Sequence, residues 1–148
     1  MTDRVFVDTN VALYLKDPRD PIKLRRANEW VRVLLDSQSL IVSPQVLNEM
    51  YFVGMRKFPQ VPRAELRDFV RDFLPACTAP LDAAVVSDAF GIEEAHRFHW
   101  WDCVIVASAL AAGCRYLLTE DMQHGRAIGE LMILNPFAAA PAEILRAI

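Results

Sequence analysis

The sequence predicts an α/β fold in which a parallel β-sheet is covered by helices on both faces. Three observations predict it. Short β-prone runs alternate with longer stretches of helical periodicity, the order that gives parallel strands joined by helical crossovers. Several of the short runs end on acid or hydroxyl residues of the types that start helices. A chain of 148 residues that is 53% hydrophobic suffices for one ordinary domain with a real core.

The elements follow in order. Arg4 to Val7 is a β-prone run, and Asp8-Thr9-Asn10 behind it start a helix. Ala27, Trp30, Val31, Leu34 and Leu35 recur at helical spacing and mark a helix from about Ile22 to Asp36. Leu40-Ile41-Val42 is a second strand. Ser43-Pro44 then supplies an N-cap and a first-turn proline, and Leu47, Met50, Tyr51, Gly54 and Phe58 form the apolar face of the helix that follows. Pro59 and Pro62 break the chain. Leu66, Phe69, Val70, Phe73 and Leu74 make a further amphipathic stripe. Ala76 to Pro80 reads as a short edge strand flanked by prolines. Asp82 caps a helix reaching about Arg97. Asp102 opens a nearly all-apolar helix, Cys103 to Ala112, which should be deeply buried and end at Gly113. Arg115 to Leu118 and Leu131 to Leu134 are the last strands, and the tail from Ala138 is expected to be loosely tied.

Composition excludes several classes. No stretch reaches the roughly 20 uninterrupted apolar residues of a membrane helix, and Asp8 interrupts the apolar run of the N-terminus, which leaves no signal-peptide pattern. The chain therefore reads as cytoplasmic, with no membrane partner. Cys77, Cys103 and Cys114 are odd in number and lack CxxC spacing, against a disulfide framework or structural zinc. They read as buried thiols in a reducing compartment. A net charge of −3 gives no long-range attraction for nucleic acid. A nucleic-acid enzyme with this balance needs locally concentrated arginines or a bound metal.

The chemistry is carried by acids in apolar company. Asp8 follows Val5-Phe6-Val7, Glu49 lies between Leu47 and Met50, Asp102 between Trp101 and Cys103, and Asp121 follows Tyr116-Leu117-Leu118. Acids rarely enter such surroundings unless they are paired or bind metal. Asp8 and Asp121 each lie just past a strand, and parallel sheets bind ligands at the carboxyl ends of their strands. Four carboxylates at one edge would repel, and a hard divalent cation with oxygen ligands, Mg²⁺ or Mn²⁺, resolves that. With no nucleophilic Cys or Ser motif, the set points to metal-assisted phosphodiester hydrolysis. Taken singly, each acid also has a structural reading: Asp8, Asp102 and Asp121 as helix caps, Glu49 as part of a solvated face.

The ordered motifs VFVDTNVALYL, SPQVLNEM, WWDCVIVASAL and YLLTEDMQHG resemble PIN domains, and among them the toxin members of bacterial VapBC-type toxin–antitoxin pairs. The resemblance covers nearly the whole chain and ends near Asn135-Pro136-Phe137. It implies a Rossmann-like parallel sheet, one domain over residues 1–148 with a core at about 3–137, and a Mg²⁺- or Mn²⁺-dependent endoribonuclease acting on RNA. It also implies a homodimer and a small VapB-type antitoxin that blocks the site. Carried over by residue, the family's acids fall on Asp8 in DTN, Glu49 in NEM, Asp102 in WWD and Asp121 in TED. Asp8, Asp102 and Asp121 would hold metal, Glu49 would serve as ligand or water-orienting base, and Thr9, Asn10 and Thr119 would support the acids. Glu120 departs from the pattern as a spare acid beside Asp121. The antitoxin is expected on the helices Pro44 to Phe58 and Pro62 to Leu74, which lie beside Glu49.

Other residues take plainer readings. Trp100 and Trp101 either pack between helices, the expected fate of tryptophan, or offer a ring on which a base stacks. His124 is expected on a surface loop and His96 on an ordinary helix. Arg63, Arg67 and Arg71, interleaved with Glu65, Asp68 and Asp72, read as a solvated face with local ion pairs, as do Lys23, Arg25 and Arg26. Two rival functions remain. A receiver-type signalling domain also gathers acids and Mg²⁺ at a sheet edge but needs a late lysine, and no Lys follows Lys57. An inactive PIN-like binding module would not need all four acids.

Overall fold

The computed structural model describes residues 3–145. Five strands form one sheet in the order β2 (Leu40–Ile41), β1 (Val5–Val7), β3 (Tyr116–Leu118), β5 (Leu131–Leu134), β4 (Ala127–Ile128). All neighbours are parallel except β4 and β5. The helices are α1 (Thr9–Tyr14), α2 (Pro21–Asp36), α3 (Pro44–Lys57), α4 (Arg63–Arg71), α5 (Ala83–His96), α6 (Trp100–Ala111) and α7 (Pro141–Ile144). The α/β architecture is the one the alternation of periods predicts. The central strands are buried throughout, which is why they read as continuous apolar runs rather than alternating ones. Among the described residues, no helix is long and apolar enough to cross a membrane.

Register positions the site. Val7 is level with Leu118, and Leu118 with Leu134, so Asp8 and Thr119 leave the sheet side by side at its carboxyl edge. Backbone bonds Asp8 N–H to Leu118 O (3.0 Å) and Thr119 N–H to Leu134 O (3.0 Å) fix both. β2 hands over to α3 through Val42-Ser43, so Gln45 and Glu49 rise one and two turns above that edge. Helices α5 and α6 pack together, with Cys103, Val104 and Ala107 of α6 buried against Val85 and Ala89.

Two expectations about the elements need correction. The run Ala76 to Pro80 is not a strand. A 3₁₀ turn, Leu74–Ala76, leads into a single parallel bridge between Val42 and Cys77, because the prolines and the tight turn leave too few donors for a ladder. The tail is tied down: Trp30 Nε1 donates to the carbonyls of Pro136 (3.1 Å) and Ala139 (3.0 Å), and Pro141 and Leu145 are buried. Met1, Thr2 and residues 146–148 lie outside the described residues. The short hairpin strand β4, closed by Gly129 at φ +58°, was not expected at all.

Candidate metal centre

Asp8, Glu49, Asp102 and Asp121, the acids singled out from sequence, line one pocket of about 240 Å³ together with Asn10, Gln45, Lys57 and Trp101. A larger hollow of about 510 Å³, lined by Asp3, Arg115 and Met132 among others, gathers no such set. Asp8 ends β1 and caps α1. Its Oδ1 accepts from Thr9 N–H (2.8 Å), and its Oδ2 accepts from the Thr119 hydroxyl (3.0 Å) and Asn10 Nδ2 (3.4 Å). Asn10 Nδ2 also reaches Asp121 Oδ2 (2.8 Å) and Thr119 Oγ1 (3.2 Å), which itself accepts from the Asp121 N–H. One amide group thus bridges the carboxylates that close β1 and follow β3. Glu49 is held at both oxygens, by the Thr9 hydroxyl (3.0 Å) and Gln45 Nε2 (2.8 Å).

Asp102 does not open its helix as expected. α6 begins two residues earlier, at Trp100 with His99 as its cap residue, so Asp102 lies inside the first turn and is half-buried. The helix-cap reading therefore fails for Asp102, while for Asp8 the cap and the pocket coexist.

The pocket is electrostatically uncompensated. Asp17 is a buried acid outside it, and Arg19 grips it with two hydrogen bonds of 2.8 and 3.0 Å. Glu120, the spare acid, turns away from the cluster to Lys23 Nζ (2.7 Å) and the Tyr14 hydroxyl (2.7 Å). Among the described residues, none of the four pocket acids has a Lys or Arg within ion-pair distance. Asp8 is only 7% exposed. Burial pushes its carboxyl up to about 7, against hydrogen bonds from Thr9 and Thr119 that pull it down, and with Glu49 and Asp102 adding to the rise. Burial, then the charge of Asp121, raises Asp102 as well.

The donors fit a hard divalent cation. They are all oxygen, the preference of Mg²⁺ and Mn²⁺. Besides the carboxylates, Asn10 Oδ1 and Gln45 Oε1 are buried acceptors with no hydrogen-bond partner among the described residues. Flipping either amide would point its oxygen at a carboxylate, so the network fixes both orientations. Buried acceptors beside unpaired acids are an unmet demand for positive charge. Among the described residues, no group of three or more His, Cys, Asp or Glu is already drawn together as a metal cluster. Instead, Thr9, Thr119 and Asn10 hold the carboxylates by donated hydrogens.

Sequence reasoning missed Gln45, which orients Glu49, and Lys57, the cation at the pocket's rim. Neither carries a local signal. Gln45 is a polar residue at the start of a helix, and only its spacing of four to Glu49 hints at a shared face. His124 lies on the surface as expected, accepting the Asn135 N–H at 2.9 Å. The tryptophans divide. Trp100 packs against Phe90, ring centroids 5.2 Å apart, whereas Trp101 does not pack between helices and is 60% exposed at the pocket.

Comparison with known proteins agrees with this geometry. A sequence profile of the PIN domain family matches residues 5–129, a span that includes all four acids. The fold is similar to the crystal structure of VapBC2 from Rickettsia felis bound to a DNA fragment from their promoter. That match has a TM-score of 0.62 at 16% identity and covers 87% of this chain and 96% of the other. No curated protein sequence matches the chain significantly.

Proposed function

Because the chain belongs to the PIN domain family, whose members are generally nucleases, we propose that it is a Mg²⁺- or Mn²⁺-dependent endoribonuclease, the toxin of a VapBC-type toxin–antitoxin pair. The observation that carries this reading is the convergence of Asp8, Glu49, Asp102 and Asp121 on one pocket where, among the described residues, no Lys or Arg comes within ion-pair distance of them. Asp8, Asp102 and Asp121 would hold the metal, with Thr119 and Asn10 setting the spacing between Asp8 and Asp121. When bound, the ion would neutralise charge developing on the phosphoryl oxygens and make water acidic enough to serve as nucleophile near neutral pH. Glu49, fixed at both oxygens by Thr9 and Gln45, orients the attacking water and takes up its proton. Attack in line with the departing ribose 3′-oxygen leaves a 5′-phosphate and a 3′-hydroxyl. Sequencing RNA ends after brief expression tests this. Ends bearing 2′,3′-cyclic phosphate would mean that the ribose 2′-hydroxyl attacked, and no cleavage with either metal would mean an inactive binding module.

The metal assignment has its own test in thermal melts. A cation that binds only the folded protein adds about 2.7 kcal/mol at a hundredfold excess over its dissociation constant, roughly 5–10 °C for a chain of this size. Asp102→Asn removes one repelling charge, so the metal-free protein should be no less stable than the parent, and its gain from Mn²⁺ should shrink. An undiminished gain would remove Asp102 from the site.

Partners belong to the same reading. The likeness to a VapBC complex supports a small VapB-type antitoxin docking on α3, which carries Glu49, and on α4 packed against it, with a basic side chain entering the acid pocket. A cytoplasmic homodimer acting through one domain completes the proposal. Light scattering giving a monomer, with a native-host pull-down that returns no small protein, would defeat both partner assignments.

A further inference from the structure

The pocket has a direction. Gln45, Glu49, Val53 and Lys57 all line it and recur every four residues along α3, one stripe of the helix rising about 18 Å from first to last. At the Gln45 end lies Trp101, whose carbonyl accepts from Gln45 Nε2 (3.4 Å). At the other end Lys57 Nζ stands 5.4 Å from the Tyr14 ring centre and, among the described residues, forms no ion pair. Glu49 falls between them. Across the pocket, Trp101, Asp102 and Ile105 occupy one strip of α6. The trough therefore has an aromatic ring at one end, the acids at its middle and a free cation at the other end.

Trp101 is out of place for a packing residue. Tryptophan is highly buried on average, and its neighbour Trp100 finds an aromatic partner in Phe90. Trp101 stays 60% exposed in the residue immediately before an acid of the pocket. A flat π-face next to a phosphate-directed site matches what unpaired bases stack on, and a cation set apart from it matches a backbone phosphate. We infer that Trp101 is a substrate-binding residue that stacks an unpaired base beside the scissile phosphate, and that Lys57 holds a phosphate farther along the strand. The inference rests on the nuclease reading for what happens to the strand, but not for how the strand is held.

The experiment has a catalytic and a binding arm. Steady-state cleavage of an oligoribonucleotide containing a mapped site is measured single-stranded and annealed to its complement, for the parent, Trp101→Phe, Trp101→Ala and Lys57→Gln. Binding of the same fluorescently labelled oligonucleotides is measured by anisotropy in the Asp8→Asn protein with and without the same changes. Trp101→Ala should raise KM and Kd for the single strand roughly 5- to 100-fold with kcat little changed, and Trp101→Phe should regain most of the loss. A merely structural role would instead lower kcat and the melting temperature together. Lys57→Gln should weaken binding and reduce the slope of log Kd against log salt by about 0.7. Unchanged KM and Kd in Trp101→Ala, or a duplex bound as tightly as the single strand, would overturn the inference. So would intact oligonucleotide binding with lost capture of a co-expressed partner protein, which would make Trp101 a protein anchor. If the parent cleaves nothing with metal, the nuclease reading falls, and the anisotropy arm still decides the role of Trp101.

Discussion

Asp8→Asn is expected to lower metal-dependent RNA cleavage by on the order of 10²–10⁴-fold, the rate equivalent of several kcal/mol of lost charge stabilisation, and to relieve growth arrest on expression. Asp8 is where the sheet, the helix cap and the pocket meet. Its carboxylate is touched by Thr9, Thr119 and Asn10 and, with Asp121, brackets the one amide that stands between the acids. Asparagine keeps the volume and one acceptor, so the cap on Thr9 N–H survives. The new side-chain amide would face the Thr119 hydroxyl, which can accept as well as donate, and Asn10 Nδ2 keeps its shorter bond to Asp121 (2.8 Å) in place of the 3.4 Å contact it loses. The fold should therefore tolerate the change, and the loss should fall on chemistry. The measurement is initial cleavage rate against Mn²⁺ concentration for parent and variant, with circular dichroism to confirm folding. Activity within a few-fold of the parent, or arrest as strong as the parent's, would show that the assigned chemistry is wrong.

Much of this site is legible in the sequence because an acid in apolar company is a physical contradiction that something must resolve. Asp8 and Asp102 interrupt apolar runs, Glu49 lies within an apolar helix pattern, Asp121 comes shortly after a buried strand, and all four reach one pocket. The strands and long helices are legible for the related reason that burial on one stripe or both faces leaves a period. What stays hidden depends on contacts distant in sequence. Glu120 looks like a fifth candidate beside Asp121, and only the approach of Lys23 and Tyr14, remote in sequence, takes it out of the cluster. Trp100 and Trp101 are indistinguishable as letters, and their different fates depend on where Phe90 of α5 lies. β4 is two residues long, too short for any alternation to register. The tail looks untethered because its anchor, the indole N–H of Trp30, belongs to a helix far earlier in the chain.

Relative to Asp8→Asn, the metal-free parent should lose stability as pH rises from about 4 to about 7. Burial lifts the folded-state carboxyl of Asp8 from 3.8 to about 7, so within that window the folded chain keeps a proton that the unfolded chain has released. The state that binds more protons is favoured at low pH. Folding stability from this group is therefore fully present below the unfolded value, declines by up to about 1.4 kcal/mol per pH unit, and levels off above 7. The whole swing is about 4 kcal/mol, and any hydrogen bonding that Asn forfeits shifts the variant's curve by a constant without changing that swing. Other acids work in the opposite direction. Asp17, held low by its hydrogen bond with Arg19, adds stability above its unfolded value and loses it as pH falls. The prediction accordingly concerns the difference between two proteins, not the parent's curve alone. Urea melts of parent and Asp8→Asn in EDTA across this pH range should diverge progressively, the variant becoming the more stable toward pH 8. Added Mn²⁺ should close the gap from the parent's side, and more strongly at higher pH, because only the ionised carboxylate binds the ion and the proton competes with it. Parallel curves with and without metal would mean that Asp8 is already ionised in the folded protein and compensated by some group other than a cation.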